Sequence, residues 1–103
     1  MFGNNKHHQV DMELFVMFDS KTSHYDEPWF SINQHDMVRR ITNQFSGPQA
    51  SQSKYFLNAE DYSLFRVGTW DKKTGELVAC KPEHIANMHD LRALVQQKGI
   101  ETT

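Results

Sequence analysis

The sequence predicts an α+β domain: a mainly antiparallel sheet of about four strands with two helices, in the order β-β-α-β-β-α. Three observations carry that prediction. Residues 64–70, Leu-Phe-Arg-Val-Gly-Thr-Trp, are dense in β-formers, and Asp-Lys-Lys-Thr-Gly follows with the chemistry of a chain reversal. Residues 12–18, Met-Glu-Leu-Phe-Val-Met-Phe, read as a strand that is apolar on both faces. Finally, Asn33 and Asn87 each stand three residues before an Asp and open an apolar stripe at helical spacing.

Taken in order, residues 1–11 form a polar, flexible leader containing His7-His8. Adjacent histidines point to different sides of a backbone, which makes a solvated arm a better reading than a metal pair. In the first strand Met12, Leu14, Val16 and Phe18 share one face, while Phe15 and Met17 share the other with Glu13. Such a strand is expected to be central, or to lie between helices and a partner subunit. A polar connection, residues 19–24, leads through Tyr25 and Pro28 to a short second strand at residues 29–32. Asn33 caps the first helix, whose core stripe is Met37, Val38, Ile41 and Phe45, and Gly47-Pro48 ends it. Residues 46–53 make a loop of Ser, Gln, Gly and Pro with almost nothing to bury, the best candidate for mobility and for a functional loop.

Lys54-Tyr55-Phe56-Leu57 reads as a short strand or an irregular docking segment, and residues 58–61 as a turn or a single helical turn. In the hairpin that follows, simple alternation puts Leu64, Arg66, Gly68 and Trp70 on one face and Phe65, Val67 and Thr69 on the other. Gly68 in mid-strand suggests a bulge or a close approach. The return strand spans residues 76–81 and Lys81-Pro82 closes the sheet. Met88, Leu91, Leu94 and Val95 stripe the second helix, which Lys98-Gly99 ends, leaving a frayed tail at 99–103. One domain therefore spans residues 12–98.

Composition bounds the function. At 103 residues there is room for one domain, with 38% hydrophobic and 12% aromatic content supporting a modest core built from large rings. A net charge of −2 gives no bulk attraction to duplex DNA or anionic membranes, so any nucleic-acid role needs a local basic patch with aromatics. Cys80 is the only cysteine, which precludes an intramolecular disulfide; on the return strand it is expected as a packed thiol. No secretory signal pattern or membrane-length apolar run is present, pointing to a soluble intracellular protein.

Catalytic motifs are missing: there is no phosphate-cradling glycine loop, nucleophile elbow or Cys/His metal array. His84 and His89 are five apart across a helix cap, and His35-Asp36 are merely adjacent. The expectation is a non-enzyme without cofactor or metal. Binding is better supported. Single-stranded nucleic acid is held by cations along its backbone and by rings that stack on bases. The candidates are Arg39 and Arg40 on the exposed side of the first helix, Lys54, Tyr55 and Phe56, Arg66 in the hairpin, and Lys72 and Lys73 at its tip. Each has a plainer reading: a solvated helix face, core anchors or an ordinary turn. A two-faced apolar strand also wants a second cover, which favours a homodimer.

Residues 60–75, Glu-Asp-Tyr-Ser-Leu-Phe-Arg-Val-Gly-Thr-Trp-Asp-Lys-Lys-Thr-Gly, resemble the "Glu-Asp-Tyr, Leu-Tyr-x-Ile-Gly, x-Phe-Asp, Thr-Gly" run of a family of small nonstructural proteins. That family belongs to the gokushovirus-type microviruses, which are small single-stranded DNA phages. The opening strand, running into Phe18-Asp19-x-Lys21, and Tyr25, Pro28-Trp29-Phe30, Asn33 and Arg39 are similar in order and spacing, so the resemblance extends from Met12 to Val95. The leader and residues 46–53 depart from it. The resemblance implies a DNA-binding protein in the cytoplasm of the infected bacterial host, acting in viral DNA replication and the switch to single-strand synthesis. It assigns no individual binding residue. Its implied partner is single-stranded DNA; phage replication proteins enter as partners with the alternative. The alternative is an adaptor that recruits the replication initiator or procapsid without touching DNA, which the acidic pI favours.

Overall fold

Alternation sends the first strand to the middle of the sheet. In the computed structural model, which describes residues 12–101 and side chains as far as Gln97, β1 (Met12–Asp19) pairs with β4 (Tyr62–Trp70) along one edge. Along its other edge it pairs with β2 (His24–Tyr25) and β3 (Trp29–Ser31) at successive positions. β5 (Leu77–Asn87) adds outside β4, giving the order β2-β1-β4-β5 with β3 beside β1, every pairing antiparallel. The helical elements are α1 (Gln34–Ser46), α2 (Lys54–Leu57) and α3 (Met88–Glu101), with 3-10 turns at Ala50–Gln52 and Ala59–Asp61. The α+β class expected from the sequence holds, with one more short strand and one more helical turn. The leader at 1–11 and the last two residues lie outside the described residues.

The helices share one face of the sheet. Phe15, Met17 and Leu64 from the strands meet Met37, Ile41 and Phe45 of α1 and Met88 and Leu91 of α3 in a single buried cluster. Leu14 and Val16 are also buried, yet they lie outside that cluster, on the face without helices.

Local chemistry explains most boundaries. The Asn33 side chain accepts from the Asp36 N–H at 2.8 Å, and Gly47 ends α1 with its N–H on the Gln44 carbonyl. At the hairpin, Asp71 accepts from the Lys73 N–H at 2.8 Å and Gly75 adopts φ +75°, a conformation that an L side chain resists. Gly68 meets both of its expectations. The ladder shifts register between Arg66 and Gly68, and a Cβ at 68 would stand 2.7 Å from the Val78 carbonyl oxygen.

That bulge corrects the face assignment. Residues paired across strands share a face, so Leu64 (with Met17) and Arg66 (with Phe15) lie on the helix side, whereas Gly68 (with Leu14) and Trp70 (with Met12) lie on the other. Simple alternation had kept all four together. β5 is also longer than the expected 76–81 and passes through Pro82, which sits where the ladder is interrupted and the missing N–H costs least. Cys80, expected as a packed thiol, is exposed on this edge strand, its Sγ 3.8 Å from the Arg66 carbonyl.

Further expectations change. Lys54–Leu57 is one turn of helix rather than a strand, because a helical turn brings Tyr55 and Phe56 together onto the core. The loop expected to bury almost nothing does bury Ala50, which is 8% exposed. Leu94 is 52% exposed, outside the stripe that Met88 and Leu91 form, and α3 continues past Gly99 at the modest cost of an interior glycine. Asn87 does not simply repeat Asn33: its Oδ1 accepts from Ser63 Oγ at 2.8 Å and from the His84 ring at 2.9 Å.

Candidate nucleic-acid interface

Trp29 stands at the outer edge of the sheet, where β3 meets α1 and α2. Pairing with Phe15 turns it toward the helix side, and it packs against the edge of the core cluster. Three adjoining surface depressions meet on it. The first, about 280 Å³, is lined by Trp29, Arg40, Gln44, Met37 and Ile41. The second, about 300 Å³, shares Trp29 and Gln44 and adds Gln49, Gln52, Ser53, Lys54 and Tyr55. The third, about 310 Å³, shares Trp29, Lys54 and Tyr55 and adds Tyr25, Asp26 and Glu27. Together they form one open track past α1, the Gln-rich loop and α2.

The charges on this track are held differently. Arg40 is exposed and donates one N–H to the Phe30 carbonyl at 2.8 Å; among the described residues no carboxylate lies within ion-pair distance of it. Lys54 lies 3.2 Å from Asp26 and reaches over the rings of Tyr55 (5.3 Å) and Tyr62 (5.8 Å). The Tyr55 hydroxyl donates to Asp26 at 2.6 Å. That bond, and then Lys54, hold the Asp26 carboxyl below its usual 3.8, although some burial opposes them. Burial, followed by the bond to Asp26, pushes the Tyr55 phenol well up, and Asp26 pushes the Lys54 ammonium up. This tie fixes the β2–β3 connection to α2 and so shapes the third depression.

The ring faces are partly committed. Tyr55 makes edge contacts with Trp29 at 5.5 Å and with Tyr62 at 4.9 Å, and Phe56 packs on Phe45 at 5.2 Å. Trp29 and Tyr55 are half-buried and Tyr25 is 48% exposed, so each keeps surface on the track.

Of the residues proposed from sequence, the track brings together Arg40, Lys54 and Tyr55. Phe56 lies beneath it as a core contact, with its carbonyl accepting from Arg92 at 2.9 Å. Arg39 is on the same helix but bonds Asp36 at 2.6 Å; Asp36 also accepts from buried Ser31, and the two bonds, Arg39's first, depress its carboxyl. Arg66 faces α1 and pairs with Glu83 at 3.0 Å, while Lys72 and Lys73 lie at the exposed hairpin tip, away from the track. Sequence reasoning reached Gln49 and Gln52 only as part of the candidate functional loop at residues 46–53, and it passed over Trp29, Tyr25 and Gln44 as site residues. Three glutamines flanking one aromatic helix-strand junction were a usable signal, but only the fold puts them on one line. A further depression, about 610 Å³, lies between β5 and the start of α1; it holds Glu13 and Glu83 beside the already paired Arg66, and no Phe, Tyr or Trp ring lines it.

Among the described residues no three His, Cys, Asp or Glu side chains gather in a metal-holding group, and no helix is long and apolar enough to cross a membrane. Comparison with known proteins finds one family model, described as Phage ORF5 protein, matching residues 12–91. No curated protein and no solved structure matches the chain.

Proposed function

The chain belongs to the Phage ORF5 protein family and is a bacteriophage protein; from that premise we propose that it binds single-stranded DNA along the Trp29 track. In this reading it is a nonstructural, non-enzymatic protein of the gokushovirus type. It works in the host cytoplasm during viral DNA replication and the switch to single-strand synthesis. One observation carries the reading: two cations, Arg40 and Lys54, stand on a single open track with Trp29, Tyr55 and Tyr25. Binding of single strands without strong sequence preference needs that combination of charges for phosphates and ring surface for bases. Gln44, Gln49 and Gln52 add amides that both donate and accept, suited to base edges of any identity. The proposal assigns no catalytic step and no cofactor to the track.

The test is a titration of fluorescent oligothymidine at two salt concentrations. Affinity is expected to fall as salt rises, and Arg40→Ala to weaken binding roughly fivefold and lower the salt slope by about 0.7, the value for one phosphate contact on a single strand. Absent binding at low salt, or affinity indifferent to salt, overturns the reading. A second reading, an adaptor that recruits replication proteins or the procapsid, is favoured by one observation. Arg39, Lys54 and Arg66 each face a carboxylate, which reduces the charge available to phosphates. Under that reading Arg40→Ala leaves any residual DNA retention unchanged.

A further inference from the structure

Among the described residues, cross-strand pairing assigns no acidic residue, Lys or Arg to the face of the sheet opposite the helices. Register places Leu14, Val16 and Phe18 of β1 there, with Tyr25, Phe30, Phe65, Trp70, Leu77 and His84 from the neighbouring strands. No residue assigned to this face by its pairing is Lys, Arg, Asp or Glu; Glu13, Asp19, Arg66 and Glu83 all fall on the helix side. The rings form two groups. Phe18, Tyr25, Phe65 and His84 meet at centroid distances of 4.8 to 6.1 Å, and Phe30 meets Trp70 at 5.6 Å. Tyr25, Phe30 and Leu77 remain 48%, 44% and 60% exposed. Among the described residues nothing from another layer packs on this face.

We propose that this face is covered by the same face of a second copy, making a two-fold dimer in which two sheets pack together and the helices point outward. The chemistry selects the occupant. Aromatic and Met enrichment with charge depletion marks the centre of a protein interface, and a face without cations has nothing to hold a phosphate backbone. Uncharged surface is complementary to itself, as a two-fold contact requires. The area reaches the minimum for a specific contact: eight residues of β1 at 3.4 Å and four strand positions at 4.8 Å give roughly 27 by 19 Å, or on the order of 1,000 Å² for the pair, the size at which a biological interface begins. The free edge is a poorer candidate, because Lys81, Pro82 and the interrupted ladder blunt β5 against strand addition. The dimer would carry two Trp29 tracks and so raise avidity for one strand, though it does not depend on the DNA reading.

Sedimentation equilibrium of the full chain tests this, using wild type, Phe30→Glu, Leu77→Lys and Arg40→Ala. At about 50 µM the wild type is expected at twice the 12.1 kDa chain mass, and either face variant to weaken association at least tenfold. Both replaced side chains are largely exposed, and a retained cooperative melt certifies each fold; should Phe30→Glu not fold, Leu77→Lys decides. Arg40→Ala is expected to dimerise as wild type does, whether or not it binds DNA. A monomeric wild type, or a dimer indifferent to both face variants, overturns the proposal. So does an oligonucleotide that splits the dimer into monomer–DNA complexes, which would give the face to DNA.

Discussion

The two faces of this sheet share the same strands and almost nothing else. On the helix side, Phe15, Met17 and Leu64 are sealed under α1 and α3, and the same side carries Glu13, Asp19 and the Arg66–Glu83 pair. On the other side, Leu14 and Val16 lie among residues that by their pairing include Phe30 and Phe65, and none of the described residues assigned to that face by pairing is acidic, Lys or Arg. The difference teaches how the molecule divides its work. Burial under helices supplies stability, the edge at Trp29 places cations beside rings, and the second face is the one proposed above to meet a second copy. The bulge at Gly68 is what makes the sorting complete, since it moves Trp70 away from the helix side and joins it to Phe30.

The largest expected effect tests the contrast directly. Phe15→Ala removes a fully buried ring from the helix side and is expected to cost about 4 kcal/mol, whereas Phe30→Ala, measured at concentrations where the chain is monomeric, costs less than about 1 kcal/mol. Urea unfolding of both variants checks this; equal losses would erase the distinction between the faces. Next comes Gly68→Val. Its Cβ would collide with the Val78 carbonyl, a backbone atom that cannot step aside, so a loss of about 2–3 kcal/mol is expected from the same measurement.

Tyr55→Phe probes the tie that shapes the track, and about 2 kcal/mol is expected, as for a hydrogen bond to a charged acceptor. Its pH dependence has a definite sign. Because burial and Asp26 raise the folded phenol's pKa above the ordinary 10.0, its contribution is complete below that pH and is lost as pH rises beyond it. Asp26 runs the other way: its folded pKa is depressed below 3.8, so its contribution is present above that value and lost as pH falls through the acid range. Thermal melts across pH should therefore show shallower acid and alkaline limbs in Tyr55→Phe than in wild type. The smallest stability effect belongs to Arg40→Ala, within about 0.5 kcal/mol, although the same change is expected to be among the most damaging to DNA affinity.

Much of this fold was legible because local chemistry and tertiary structure agree. Asn33 caps the helix it was expected to cap, Gly75 takes the positive φ that its turn needs, and Met37, Ile41 and Phe45 bury as their spacing says. Disagreement arises where a non-local partner decides. Tyr55 and Phe56 have strand propensity, but Trp29, Tyr62 and Phe45 draw them into a helical turn. A period-two pattern has no means of registering the extra residue at Val67, so every position after it was put on the wrong face. The candidate site was half visible. Arg40, Lys54 and Tyr55 announce themselves by residue type, whereas Trp29 reads as ordinary core until β3 is known to lie at an edge, flanked by the glutamines of residues 44–52.

Backbone amide shifts of the isotopically labelled full chain during addition of oligothymidine test the central claim most directly. The account predicts the largest changes at Trp29, Arg40, Gln44 and residues 52–55, with the uncharged face and the hairpin tip at Lys72 and Lys73 little affected. Changes concentrated instead at Phe65, Trp70 and His84, or at the hairpin tip with the Trp29 track silent, would contradict it.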